Sequence, residues 1–497
     1  VLLRKAIPLE RPLLAGAAIR GPHRFDGKFM SLVFYDTETT GIHTAFDQIL
    51  QFAAIQTDDD FNELDRFEIR CRLLPHVVPS PGAMRVTGVS VAQLTDPNLP
   101  SHYEMVRAIR RKLDAWSPAV FMGYNSLQFD EQLLRQALFQ TLHSPYLTNT
   151  NGNCRADVLR IVQAASVFAP NTITVPVGDR GQSVFRLDRL APANGFDHAH
   201  AHDALADVEA TIHLCRLLAE RNHEFWSWCT RFSRKFVVQD FVRKNPVFCL
   251  TEFYYSRPHS WLVTPIGKSP GNQNDIFALD LANDPDELGA LDDDELARRL
   301  AQSPRPVRRI RANAFPLIAP VDDMPAASMA SELSRAEVER RAAIIRRKSA
   351  LRERLCALMD EERKDAEPSP HLEEQIYDGF ITDEDAPLLA EFHDASWDDR
   401  LALTDRIRDR RLRLLGRRLV YFERPDLFAR KERRDIEIAL AKRLLGTDDP
   451  GKWLTLPDAI RQADDLIATA TGDERKLLDE HRAYLAGRTE QASRLTG

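Results

Sequence analysis

The sequence predicts an α/β layer domain, then a small strand-rich domain with attached helices, then an all-α domain. Three patterns carry that reading. Between residues 31 and 221, short apolar runs are followed by helical periods, which is how an α/β layer fold is written in sequence. Between 247 and 281 the apolar runs look like strands, with aromatics at Phe248, Phe253, Tyr254, Tyr255 and Trp261. From 331 the chain is rich in Ala, Leu, Arg and Glu, with one Pro-containing break at Asp365-Ala366-Glu367-Pro368-Ser369-Pro370. The expected division is therefore 31–221, 222–365 and 366–492.

Residues 1–30 begin VLLRKAIPLERPLLAG, with charges throughout and no apolar core of signal-peptide length. They read as a mobile extension, with Met30 a candidate internal start. The first strand is Leu32-Val33-Phe34-Tyr35, which runs into Asp36-Thr37-Glu38-Thr39-Thr40-Gly41 and breaks at the glycine. Ile49–Ile55 and Phe67–Leu74 read as two more strands, joined through the polar turn Asp58-Asp59-Asp60. Residues 79–88 read as loop. Val106–Trp116 has a helical period, and Ala119–Tyr124 is another apolar strand. Asp130–Phe139 reads as a helix with Leu133, Leu134, Ala137 and Leu138 on one face. Asp203–Leu218 reads as a second, striped by Leu205, Val208, Ile212 and Cys215. Strands are expected over Val247–Thr264 and Asp275–Leu281, and helices from Ser331 onward. No internal repeat is present.

Composition narrows the function classes. The chain has 497 residues, 67 basic and 74 acidic, for a net charge of −7. A polyanion would thus be bound through a local basic patch rather than by overall charge. No run approaches the roughly 20 apolar residues of a spanning helix, so no membrane partner is expected. Six scattered cysteines without a C-x-x-C pair read as reduced thiols of a cytoplasmic protein, not as a disulfide frame or zinc site.

Asp36 and Glu38 stand at i and i+2 of a strand and so share a face. Two carboxylates there suit a hard cation that prefers oxygen ligands. With this many acidic residues, chance alone gives roughly 11 acid-x-acid pairs, so the pair carries little by itself. Its place at the end of a buried apolar strand adds weight, because uncompensated carboxylates there repel and resist desolvation. Asp130, at a helix start, reads either as a cap or as a third ligand. His202 and Asp207 form H-x-x-x-x-D. On one helix they would lie about 140° apart, so they share a site only if His202 precedes the helix. The same spacing recurs at His198–Asp203 and His393–Asp398. Taken jointly, four carboxylates in an α/β pattern are what two divalent cations need for phosphoryl transfer. A nearby neutral histidine can take the proton of the attacking water.

This set resembles the DEDDh exonucleases, whose motifs are D-x-E, a later Asp, and H-x-x-x-x-D. More closely, the sequence resembles the bacterial exonuclease I family. The stretches that carry the closer likeness are PSPGAMRVTG (79–88), GYNSLQFDEQLL (123–134), SVFRLDRLAPANG (183–195) and AHDALADVEATI (201–212). It continues in SWLVTPIG (260–267), NQNDIFALDLANDPDEL (272–288) and EEQIYDGFITDED (373–385). The first motif, DTETTG, is closer to the general proofreading type, and the loop before His202 is rich in histidine (His198, His200, His202). That loop leaves a zinc reading open.

The resemblance implies an RNase H-like exonuclease domain, an SH3-like β-barrel domain with helices, and a C-terminal helical domain, together clamping one strand of DNA. It implies a monomeric 3′→5′ exonuclease that degrades single-stranded DNA in repair and recombination. Asp36, Glu38, Asp130 and Asp207 would hold two Mg²⁺ ions, Mn²⁺ substituting, with His202 as general base. Glu38, Arg186, Arg135 and Tyr146 would contact the strand, and the tail of single-strand DNA-binding protein would be a partner. Residues 298–313, RRLAQSPRPVRRIRAN, hold six arginines and no acid, a second candidate phosphate contact. Three other readings stay open at this point: a DEDDh RNase or proofreading-type nuclease, an inactive DNA-binding scaffold, and an HD-type phosphohydrolase built on His202-Asp203.

Overall fold

The computed structural model describes residues 30–197, 202–323, 333–361, 369–447 and 452–497, with the backbone of 24–25 and 28–29. The extension expected over 1–30 lies almost wholly outside these residues, as do His198, His200 and Ser331. What is described of the extension is a short antiparallel pair, β1 (Arg24–Phe25) with β2 (Lys28–Phe29). The chain packs as two compact units.

One unit comprises Ser31–Val158, Phe196–His213 and Ala366–Gly497. Its sheet holds β3 (Ser31–Thr39), β4 (Ile49–Thr57), β5 (Glu63–Arg70), β6 (Ala119–Gly123) and β7 (Cys154–Asp157), in the order β5-β4-β3-β6-β7. The β3–β4 and β4–β5 pairs are antiparallel, and β3–β6 and β6–β7 are parallel. Central β3 is buried along nearly its whole length, whereas edge strand β5 is largely half-exposed or exposed. Val33, Tyr35, Phe52 and Phe121 belong to a core shared with Val106, Ile109 and Leu113 of helix His102–Trp116, and with Leu133, Leu134 and Leu138 of helix Asp130–Gln140. The C-terminal helices join the same unit: Tyr103, Phe139 and Leu142 share a second core with Phe392, Leu403 and Leu415. The α/β domain and the all-α region are thus welded by apolar burial.

Two sequence expectations move. β5 begins at Glu63, not Phe67, and ends at Arg70. Its charged residues pair with β4 although they face solvent, while beyond Cys71, whose N–H still bonds Leu50 O of β4, the chain bonds elsewhere, Leu73 N–H to Leu94 O for example. Beyond Cys71 the run is half-buried and unpaired, Leu73 packing against Leu50, Met84 and Leu94. Residues 79–88, expected as loop, hold a short helix, Pro81–Thr87. Pro81 opens it and Gly88 closes it at φ 67°, its N–H on Met84 O. Proline at a helix start and left-handed glycine at its end are punctuation of a helix, and in sequence the same residues spell a loop.

The other unit comprises Val1–Met30, Leu159–Gly195 and Leu214–Asp365. Its sheet is antiparallel in the order β11-β10-β9-β8-β12, from β8 (Phe248–Tyr254), β9 (Arg257–Lys268), β10 (Asp275–Asp280), β11 (Val307–Arg311) and β12 (Leu317–Ala319). The run expected over 247–264 is the β8–β9 hairpin. Its turn residues, Tyr255 and Ser256, both have positive φ, as a two-residue hairpin turn that matches strand twist demands. Helices Arg335–Arg347 and Ser349–Glu361 cover this sheet with Ile345, Leu355 and Met359, against Phe277 and Leu279.

Candidate active site

β3 carries Asp36 and Glu38 on the face opposite to the Val33 and Tyr35 core. Helix Ala204–Arg221 brings Asp207 to them. One carboxylate oxygen from each of Asp36, Glu38 and Asp207 falls within 4.8 Å of the others. Thr37, whose side chain alternates to the other face, reaches Asp130. Its hydroxyl donates to Asp130 Oδ1 at 2.6 Å and its N–H to the same oxygen at 3.1 Å. Asp130 opens its helix, and the preceding loop is held by Asp157, which accepts the N–H groups of Asn125 at 3.1 Å and Leu127 at 3.3 Å. Gly123 starts that loop where a Cβ would lie 2.7 Å from Tyr35 O, so the parallel β3–β6 edge admits no side chain there.

His202 stands before the helix, in left-handed conformation at φ 70°. Its backbone N–H donates to Asp207 Oδ1 at 3.3 Å. A 140° separation on one helix is thereby avoided, and His202 and Asp207 share one end of the sheet. Asp203 caps the helix by accepting the N–H groups of Leu205 and Ala206.

The electrostatics are those of an uncompensated anionic cluster. Burial first, then Asp130, Asp207 and Glu38, push the Asp36 carboxyl well above the usual range. Burial, Asp207 and Asp130 push Glu38 up to about 9, with Arg70 opposing. Burial lifts Asp130 to about 7 against the Thr37 hydrogen bonds, which favour the ionised form. All the donors are carboxylate oxygens, the chemistry hard divalent cations select, and a cation would remove the repulsion. The residues therefore fit divalent-metal binding.

A family model for exonuclease matches residues 33–215, one for the exonuclease I SH3-like domain matches 234–361, and one for the exonuclease I C-terminal domain matches 370–487. Exodeoxyribonuclease I of Escherichia coli (strain K12) is 30% identical over 377 residues, spanning 72% of this chain and 78% of that protein. The chain belongs to the exodeoxyribonuclease I family. Its fold is similar to the crystal structure of E. coli exonuclease I in complex with a dA16 oligonucleotide, with TM-score 0.79 and 25% identity over 92% of this chain and 100% of that one. It is also similar to a moderately thermophilic exonuclease I from Methylocaldum szegediense, with TM-score 0.81 and 25% identity over 93% of this chain and 100% of that one. The three-domain architecture of the family is present here: a mixed-sheet exonuclease domain, an SH3-like domain and a helical C-terminal domain.

The sequence-derived substrate contacts of this family member separate on inspection. Arg186 precedes helix Leu187–Ala193 with its side chain 71% exposed and paired with Asp188 at 2.7 Å. Tyr146 is half-buried beside Phe380, ring centroids 5.7 Å apart. Arg135 is largely buried, its guanidinium bonded to Glu131 at 2.7 Å and Asn149 at 3.1 Å and lying 5.5 Å from the centre of the Tyr146 ring. The arginines of 298–313 differ in their surroundings. Arg308 lies over the Trp261 ring at 3.7 Å and near Glu252, Arg309 lies near Asp275, and Arg299 donates to Asn283. Arg308 and Arg309 belong to β11, paired with β10, and alternate to opposite faces, while Arg298, Arg305 and Arg311 stay exposed. The histidine-loop zinc reading rests on His198 and His200, outside the described residues.

Sequence reasoning missed Thr37, which bonds Asp130, and Gln51 and Arg70, which bond Asp203. It also missed Tyr377 (57% exposed) and Phe380 (76% exposed), which lie beside Tyr146. Tyr377 OH donates to Gln132, two residues beyond Asp130. Exposed aromatics in this number are the type of platform single-strand binders use.

Proposed function

We propose that the chain is a divalent-metal-dependent 3′→5′ exonuclease that releases 5′-mononucleotides from single-stranded DNA. The observation that carries this is the convergence of Asp36, Glu38 and Asp207 within 4.8 Å in a chain of the exonuclease I family. Asp36, Glu38, Asp130 and Asp207 would hold two Mg²⁺ ions, Mn²⁺ substituting, whose charge offsets that of the attacking and leaving oxygens. His202 accepts the proton of the attacking water at its imidazole. The N–H of His202 on Asp207 ties that base to the carboxylate cluster. Thr37 orients Asp130 and favours its ionised form. Arg186 binds a backbone phosphate near the 3′ terminus, Glu38 also faces the terminal nucleotide, Arg135 contacts the strand beside Tyr146, and Tyr146 stacks on a base together with Tyr377 and Phe380.

The domain division 31–221, 222–365 and 366–492 belongs to the same reading. So do monomeric assembly, a cytoplasmic location, a role in repair and recombination, and binding of the tail of single-strand DNA-binding protein. Among the described residues no helix is long and apolar enough to cross a membrane.

The test uses four 5′-labelled oligonucleotides with the purified chain and Mg²⁺: single-stranded DNA, the same strand blocked at its 3′ end, duplex DNA, and RNA. Rapid shortening of the open single-stranded DNA alone is expected. Preferential loss of RNA, or binding without cleavage in both Mg²⁺ and Mn²⁺, overturns the reading.

A further inference from the structure

Across the site's sheet, one row of residues runs over three strands. Glu38 of β3 is directly opposite Gln51 of β4, and Gln51 is directly opposite Arg70 of β5. Directly opposite residues of neighbouring strands point to the same face. The start of helix Ala204–Arg221 lies on this row. Asp203 Oδ2 accepts from Gln51 Nε2 at 3.1 Å and from Arg70 Nη2 at 2.8 Å, while its Oδ1 caps the helix. One turn on, Asp207 meets Asp36 and Glu38. The i to i+4 step of a helix advances about 6 Å, close to the ~4.8 Å between strands. Two carboxylates one turn apart thus address adjacent strands. A further tie runs from Arg66 of β5 to Glu209 at 3.3 Å.

We infer that Arg70, with Gln51, is a positioning residue for the reaction: by holding Asp203 it sets the register of this helix on the sheet, and so places His202 and Asp207 relative to Asp36 and Glu38. The inference rests on the nuclease reading above. Three observations carry it. Asp203 is bound at both oxygens, one to the sheet and one to the helix, so it is the joint between them. His202 is its immediate neighbour, held in a left-handed turn that no regular element continues. Gln51 is 1% exposed, and its amide is also fixed by Glu68 at 2.9 Å, so the sheet side of the joint is rigid. Arg70 itself is half-exposed, with 32% of its side chain accessible. Exposed ion pairs add little to global stability, whereas small displacements of reacting groups cost rate steeply. A latch of this kind has a small stability effect and a large rate effect.

The experiment compares wild type with Arg70→Ala, Arg70→Lys, Asp203→Asn and the double variant Arg70→Ala/Asp203→Asn. Arg70→Ala is expected to lower kcat on single-stranded DNA about tenfold with KM unchanged, and to move Tm by less than about 2 °C. Arg70→Lys restores part of the rate. The double variant loses no more than the worse single one, because both remove the same joint. In an independent measurement without substrate or metal, hydrogen exchange at the Leu205 and Ala206 amides accelerates about tenfold in Arg70→Ala. Unchanged kcat, a rise in KM alone (Arg70 would then contact DNA), multiplicative losses in the double variant, or unchanged amide exchange each overturn the inference. If wild type has no 3′→5′ activity, the nuclease reading fails, and the exchange measurement alone decides whether the latch exists.

Discussion

Asp130 and Glu131 are consecutive residues at the start of one helix, and both are buried. Their surroundings are opposite. Glu131 accepts from Arg135 and Arg155 at 2.7 Å each, from Thr148 at 2.7 Å and from Tyr35 at 3.1 Å. Burial would raise its pKa, but the two guanidinium groups outweigh burial and hold it below the usual range. Asp130 has the Thr37 hydroxyl and N–H, with Asp157 raising its pKa and its own charge raising that of Asp36 and Glu38, so burial carries it up to about 7. The difference separates two uses of a buried acid. The charge of Glu131 is neutralised by the protein, and the result is structure. Burial, Asp130 and Asp207 instead raise the pKa of Asp36 and Glu38, and the result is a site that a divalent cation fits.

The comparison breaks most sharply under substitution. Asp36→Asn or Asp207→Asn is expected to lower nuclease activity roughly 10,000-fold, with metal-free thermal stability unchanged or raised because a repelling charge is gone. Steady-state cleavage and calorimetry on the same samples check both halves. A stability loss as large as that of Glu131→Gln would merge the two classes. His202→Ala is expected to cost about 100-fold in kcat with no loss of stability.

Glu131→Gln is the converse. It leaves Arg135 and Arg155 buried without their counter-charge, so a loss of about 3–5 kcal/mol is expected. Urea unfolding at neutral pH measures it, and a loss below about 1 kcal/mol would mean the cluster behaves as a surface pair.

Acid and alkali act on the two regions with opposite sign. The folded-state pKa values of Asp36, Glu38 and Asp130 lie above the unfolded values near 4. The native state then binds more protons than the unfolded state, and stability falls as pH rises through about 7 and toward 9. The Glu131 contribution is present above the unfolded value and is lost as pH falls through the lowered one. Metal-free Tm is therefore expected to drop from pH 5 to 9 (values set by the titrations of about 7 and 9). Millimolar Mn²⁺ or Mg²⁺ flattens the drop. A pH dependence unchanged in Glu38→Gln would assign the drop to other groups.

Arg186→Ala marks the weak end. An exposed arginine paired with a half-buried neighbour, as Arg186 is with Asp188, contributes within about 0.5 kcal/mol to stability. Its removal is expected to raise KM for single-stranded DNA about threefold at low salt, less at high salt. A salt-independent effect would argue against a phosphate contact.

Some of this was legible in the residues alone. The D-x-E pair follows from a strand period of 2, which puts Asp36 and Glu38 on one face whatever surrounds them. The register His202–Asp207 was readable because Asp207 falls within the amphipathic stripe of Leu205, Val208 and Ile212. The buried strands were readable as apolar runs. What escaped were partners far apart in sequence. Nothing near Arg135 shows that it shares Glu131 with Arg155 and Thr148, which lie beyond the helix itself. Arg308 looked like a free cation until strand pairing laid it over Trp261. The helix Pro81–Thr87 hid because its two caps are also loop residues.

By itself, then, the sequence determined which residues could do chemistry, the strand and helix that present them, and the family to which the chain belongs. The first two are local properties of period, spacing and residue type, and the family came from the likeness of whole stretches such as GYNSLQFDEQLL and AHDALADVEATI. Tertiary structure decided which charges meet. It set Thr37 on Asp130 across 93 positions, Arg70 on Asp203 across 133, and Glu131 between two arginines. Whether a carboxylate is compensated depends on desolvation and on charges a few ångströms away, and both are set only when distant segments pack.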